Sequence, residues 1–320
     1  REYLTMLEII PNNTRFDFVG VRKTALAISL AAILACLALI LIHGLNLGID
    51  FAGGSLVQAR FASPKATDEV RAAVAEFGAV DVQDLGREGT EFLIRVPLSE
   101  ENSESVNARV TGKLAQTFGA DKVEILRVEA VGPRVGEALR VKALLAVLFS
   151  TLTMGVYIWI RFEWRFGLGA GIALLHDVII TSGFLVLFGY EFDLSIVAAL
   201  LTVVGFSVND TVIVSDRIRE NRAKDRRAPL ANVINRSINE TLSRTILTTG
   251  TAVMVVVSLF VLGGSVIHAF AFALLVGFIV GTYSSVFIAA PVVLFFESAG
   301  APAATERGAA RSTAPASRRT

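Results

Sequence analysis

Apolar positions fall into long unbroken runs, about 24–43, 141–160, 167–188, 194–214, 244–263 and 268–296. A helix that crosses a bilayer needs roughly 20 mostly apolar residues, so six transmembrane helices are expected, the last long enough to tilt. Between the first and second runs the pattern changes. "SLVQARFA" (55–62) alternates like a strand, and "KATDEVRAAVAEFG" (65–78) has helical spacing closed by Gly78. "VDVQDLG" and "TEFLIRVP" read as two strands around a turn from Gly86 to Gly89. "ENSESVNARVTGKLAQTFG" (101–119) reads as a second helix and "KVEILRVEAVG" (122–132) as a last strand. The βαββαβ order implies an α+β ferredoxin-like sandwich, a sheet with two helices on one face. The expected fold is therefore a polytopic α-helical membrane protein, with this one small domain between its first and second helices.

Composition agrees: 53% of the 320 residues are apolar. A net charge of +1 gives no basic field for nucleic acid. The single cysteine, Cys36, lies inside the first run, which excludes an intramolecular disulfide and a cysteine metal site. Arg22 and Lys23 precede that run as they would in a signal peptide, but no small-residue cleavage pattern follows it, so a retained helix is expected. Residue 1 is Arg rather than Met, which leaves room for a longer gene product.

Lys and Arg crowd alternate connections: Arg15, Arg22 and Lys23; Arg161 and Arg165; the stretch from Arg217 to Arg236; and Arg307 to Arg319. The opposite connections "GYEFDLS" and "GGSVIHA" have none. The positive-inside rule then puts both termini in the cytoplasm. The expected organisation is a cytoplasmic segment 1–23, a first span 24–43, a periplasmic domain 44–139, a bundle of five spans 140–297, and a disordered cytoplasmic tail 298–320, poor in apolar periodicity.

"GIDFAGG" (48–54) and "VGPRVG" (131–136) bracket the soluble domain. Taken alone, each reads as a turn: Gly53 and Gly54 supply positive φ, and Pro133 stops a strand and starts a helix. Together, Gly48, Asp50, Gly53, Gly54, Gly132, Pro133 and Gly136 are expected to hinge the domain. Nothing in the domain resembles an active site, so a binding module is the better reading.

Charged residues inside spans are costly and need a partner or a wet cavity. Ser207, Asp210 and Thr211 share one face of the fourth span, with Asn209 beside it. Arg244 enters on the fifth span at a similar depth, and Thr248 extends its face by one turn. An Asp210–Arg244 ion pair is expected, either as structural glue or as a titrating pair. On the third span His176 adjoins Asp177. Neighbours on a helix point about 100° apart, so the two should not share a face; the histidine reads equally as a relay or as an interhelical donor. Small residues in "GLGAGIALL" (167–175) and "GFIVG" (277–281) suggest close helix packing.

"GIDFAGG", "VGPRVG", "RFEWRFGLGAGIALLHDVIIT", "VGFSVNDTVIVSDRIREN" and "SRTILTT" occur in the order seen in the SecF family, and the chain resembles that family from about residue 10 to 297. These are subunits of the bacterial SecDF translocase complex, within the resistance-nodulation-division superfamily. The resemblance implies an accessory subunit, not an enzyme, that works with SecD and uses proton-motive force in late protein export across the inner membrane. It implies as partners the SecYEG translocon, membrane insertion factors, unfolded preproteins and lipid, and no cofactor or metal. It also implies that Asp210 and Arg244 serve a proton path, to which Asp177, His176, Ser207, Asn209, Thr211 and Thr248 are candidate contributors. A small-molecule antiporter half of the same superfamily and a passive translocase scaffold remain alternatives.

Overall fold

The computed structural model describes residues 14–78, 80–85, 89–97 and 103–300. Most of the expected 1–23 segment (1–13), part of the Gly86 to Gly89 turn and the tail beyond 300 lie outside these. Among the described residues six helices are long and apolar enough to cross a membrane. They are α1 (Arg22–His43) and, after the soluble domain, α5 (Pro133–Arg161), α6 (Trp164–Leu187), α7 (Leu194–Lys224) and α8 (Leu230–Leu262). The sixth is a composite of α9 (Gly264–Ser284), a π-helical segment (Ser285–Ala289) and α10 (Ala290–Gly300). Residues 298–300, expected to begin the tail, are thus still helical.

Both α7 and α8 outrun the apolar segments that announced them, the first by ten residues and the second by fourteen at its start. Their extensions form a polar hairpin closed by Asp225, whose Oδ1 accepts from the amides of Arg227 and Ala228. Side-chain pairs at i,i+3 and i,i+4 sustain it: Arg217 and Lys224 both bond Glu220. Across the hairpin Arg217 Nε donates to Glu240 at 2.6 Å. Residues 14–21 lie over this hairpin. Asn239 bonds both backbone groups of Phe16, each at 2.9 Å, and Val19 is buried among Ile218, Ile234 and Ile238.

The soluble domain follows a short helix α2 (Ile49–Ala52) and contains β1 (Gly54–Phe61), α3 (Thr67–Val74), β2 (Asp81–Asp84), β3 (Glu91–Val96), α4 (Ser103–Phe118) and β4 (Val123–Val131). The antiparallel order β2-β3-β1-β4 is that of a ferredoxin-like sandwich. Val57, Ala59, Phe61, Phe92 and Ile94 bury one sheet face against Val70 and Val74 of α3 and Val110 and Leu114 of α4. The alternation in β1 predicts one buried face, yet Leu56 and Gln58 on the other are buried too. That second face rests against the α6–α7 connection, where Arg95 of β3 pairs with Glu191. Burial lowers the proton affinity of the Arg95 guanidinium, and nearby Asp81 opposes the shift.

The two glycine motifs meet in one joint. Gly53 has φ +74°, and a Cβ there would lie 2.8 Å from Cα of Pro133; a Cβ on Gly136 would lie 3.0 Å from the Gly53 nitrogen. Gly48 N donates to Phe192 O at 2.8 Å. Asp50 Oδ2 accepts the amide of Leu194 at 2.9 Å, while Asp193 caps the same helix by accepting from Ile196 N at 2.8 Å. The first turn of α7 is thus held by one local carboxylate and one from the motif at the base of the domain, each favourable at a helix N-terminus. Asp50→Ala should cost about 1 kcal/mol, read as a lower denaturation midpoint of the purified protein. An unchanged midpoint would show that the Leu194 bond contributes nothing.

Candidate functional site

Glycines on α9 set the site. A Cβ on Gly277 would lie 2.1 Å from Val203 Cγ2, and one on Gly281 would lie 3.0 Å from Ser207 Cβ, so α9 runs directly against α7. This approach brings Thr282 and Ser284 within hydroxyl reach of two carboxylates.

Asp177 on α6 is wholly buried and fully bonded. Its Oδ2 accepts from Ser207 Oγ at 2.6 Å and Ser284 Oγ at 2.8 Å, and its Oδ1 lies 3.0 Å from His176 Nδ1. His176 therefore does meet its neighbour, against the expectation drawn from the 100° rule. The imidazole is long enough to swing along the helix surface, so Cα–Cβ direction alone did not decide the contact. Tyr283, whose ring tilts over His176, donates its hydroxyl to Ala25 O at 2.9 Å and ties α1 to this cluster.

Asp210 on α7 is as deeply buried but poorly bonded. Thr249 and Thr282 donate to Oδ2 at 3.5 and 3.4 Å, the long edge of hydrogen bonding, and Oδ1 has no partner among the described residues. The expected Asp210–Arg244 ion pair is not formed. α7 and α8 are antiparallel in a register that sets Asn221 against Ser237 and Asp210 against Thr249. Arg244 then lies near the level of Val214, about one turn or 6 Å from Asp210 towards the hairpin. Among the described residues its guanidinium has no ion pair. It lines an open cleft of about 510 Å3 with Tyr157, Arg161, Asp216, Glu220 and Glu240.

Other expected contributors also part ways. Ser207 joins Asp177 rather than Asp210. Thr211 is buried and donates to Ser207 O at 3.2 Å. Asn209 and Thr248 are exposed on the outside of the bundle, and Thr248 bonds only its own helix, donating to Arg244 O and Thr245 O. Thr249, Thr282 and Ser284 take the places that sequence reasoning left open. The run "TYSS" (282–285) inside an apolar span was the available signal, since four hydroxyl-bearing residues together in hydrocarbon need partners. Among the described residues no group of three or more His, Cys, Asp or Glu converges as a metal site would.

Over residues 110–299 the chain matches the family described as protein export membrane protein SecD/SecF, C-terminal, and over 38–65 the SecD/SecF GG motif. It is 48% identical over 296 residues to protein translocase subunit SecF of Magnetococcus marinus, spanning 91% of this chain and 95% of that one. The chain belongs to the SecF family. The SecF subunit of Desulfurispirillum indicum is 45% identical over 88% of this chain and 93% of its own. The crystal structure of SecDF, a translocon-associated membrane protein from Thermus thermophilus, superposes with a TM-score of 0.80 at 36% identity over 90% of this SecF chain. The match spans only 40% of that SecDF chain. A SecDF crystal structure in a Super-membrane-facing form gives 0.66 over the same share. The GG motif falls on the joint where Gly53 meets Pro133, and the C-terminal family match takes in both carboxylate clusters.

Proposed function

We propose that this chain is the SecF half of a SecD–SecF accessory complex in the bacterial inner membrane, coupling proton movement to late steps of preprotein export beside the SecYEG translocon. In this reading both termini are cytoplasmic, residues 44–139 form a periplasmic module that engages emerging unfolded chain, and 140–297 form the bundle that moves protons. The observation that carries it is Asp210: a carboxyl buried among three helices, with long contacts to one oxygen and none to the other. A buried carboxylate saturated with donors is held in place, whereas one left short of donors is costly and gains free energy from any further partner it meets. Asp177 is the saturated member, which suits positioning of α6, α7 and α9 around Asp210. Arg244, one turn away in an open cleft, is placed to meet Asp210 only after a shift of α8 along α7. Such a shift is the kind of two-state element that proton coupling requires.

The test is export of a preprotein into inverted membrane vesicles, with and without an imposed proton gradient. Vesicles lacking this chain should lose the gradient-stimulated part, and supplying it together with SecD should restore that part. Equal export with and without the gradient in complete vesicles would overturn the proposal.

A further inference from the structure

We infer that a cleft at the arginine-rich end of the bundle binds a phosphate group, presented by the headgroup of an anionic phospholipid and held by Arg165, Arg219 and Arg226. Such a site stands whether or not the bundle couples protons. The cleft has a volume of about 520 Å3 and lies between the start of α6, the extension of α7 and α10. Four arginines line it, Arg165, Arg219, Arg222 and Arg226, against a single carboxylate, Glu163.

The donors around this cleft are not spent within the protein. Arg165 Nε is buried without an acceptor among the described residues, while its guanidinium lies 5.6 Å from the Trp164 ring. A buried donor left unpaired is costly, so an acceptor is worth more here than on an open surface. Arg226 is exposed and has no ion pair among the described residues. Arg219 pairs with Asp216 at 2.8 Å through Nη2 alone, which leaves its other nitrogens to donate. The 24-residue α6 also begins beside the cleft without a side-chain cap, and the amides of Trp164 and Arg165 have no acceptor among the described residues. Its positive dipole end adds to the attraction for an anion.

A phosphate suits this donor set better than a carboxylate does, because it offers more oxygens and guanidinium forks pair with them two at a time. Arg219 and Arg222, three residues apart, share a face of α7, and Arg226 follows just past the end of that helix. Depth selects a lipid as the carrier. Arg165 lies two residues before the apolar run 167–188, and the Trp164 ring meets Phe296 edge-on at 5.5 Å, the aromatic pattern of a membrane interface. Phe166, Ile218 and Val293 give the cleft an apolar wall beside its arginines. Free phosphate uses only the charged part. A phospholipid uses both, its headgroup among the arginines and its first acyl carbons on the wall.

The experiment titrates the full SecD–SecF complex in neutral detergent with dioctanoyl phosphatidylglycerol, dioctanoyl phosphatidylcholine and inorganic phosphate, following the heat of binding. The parent should bind phosphatidylglycerol saturably and phosphatidylcholine more weakly, since choline brings a cation towards the arginines. Arg165→Gln with Arg226→Gln should weaken phosphatidylglycerol binding about tenfold or more, the scale of losing a hydrogen bond to a charged group. Arg15→Gln with Arg236→Gln removes the same charge from a different cleft and should leave binding unchanged. Should the first double variant fail to assemble, Arg226→Gln alone, on an exposed turn, should still weaken binding severalfold. Inorganic phosphate bound as tightly as phosphatidylglycerol, with the same loss in the variant, would keep the phosphate site and overturn the lipid as its carrier. Equal weakening in both double variants would reduce the arginines to a diffuse basic surface and overturn the site. So would equal binding of phosphatidylcholine, or saturable binding of neither anion.

Discussion

Asp210→Asn should remove the gradient-dependent part of export while leaving the complex assembled. The substitution keeps the shape of the side chain and an oxygen for Thr249 and Thr282 to donate to, so the three-helix contact survives. It also supplies an amide in place of the Oδ1 that has no partner. What it removes is the exchangeable carboxyl proton, so the gradient-driven rate should fall by about a hundredfold or more, the scale of losing an acid–base group. Export normalised to assembled complex, measured with and without a gradient, separates the outcomes. Stimulation retained would take Asp210 out of the coupling; loss of assembled complex would make it a packing residue. Asp177→Asn should act differently, since it replaces an acceptor already bonded by two serines and His176, and its effect should fall first on assembly.

Gly53→Ala should be nearly as damaging as Gly53→Val. With φ +74° and ψ 159°, Gly53 occupies a region essentially closed to other residues, at a cost of about 1–3 kcal/mol. Even a methyl would meet Pro133 Cα at 2.8 Å, adding an overpacking cost of about 1–3 kcal/mol. Pro133 and its neighbour cannot retreat without moving α5. Gly132→Ala is the internal control, since Gly132 has φ −65° and an added Cβ meets nothing within 4 Å. The denaturation midpoint of the purified complex should drop sharply for Gly53→Ala and stay near that of the parent for Gly132→Ala. Equal midpoints for the two would mean that the joint is loose.

Much of this architecture was legible in the chain. Six apolar runs of spanning length become six helices because no other element satisfies backbone groups in hydrocarbon, and the βαββαβ order was marked by switches of period and by glycine stops. The site was legible only in part. Asp210 and Asp177 announce themselves as charges in apolar runs, but their partners depend on helix register. That register was misjudged because apolarity ends at 214 and resumes at 244 while the helices run on to Lys224 and from Leu230. Moving the ends moves what lies opposite: Thr249 meets Asp210 and Arg244 does not. Choosing Thr248 one turn from Arg244 likewise followed the wrong face. Thr245 and Thr249, also four apart, are the buried pair, and Ile246 and Leu247 point outward.

The bond from Asp50 to the first amide of α7 gives that helix a mechanical character. α7 is a single rod of 31 residues, gripped at its N-terminal tip by the base of the soluble domain and carrying Asp210 sixteen residues along. At 1.5 Å per residue the arm is about 24 Å, so a tilt of about 10° at the tip sweeps Asp210 sideways by about 4 Å. That distance is enough to exchange one set of hydrogen-bond partners for another. The leverage also works in reverse: a carboxyl that changes partners deep in the bundle pushes on the far end of the same rod, at the domain's base.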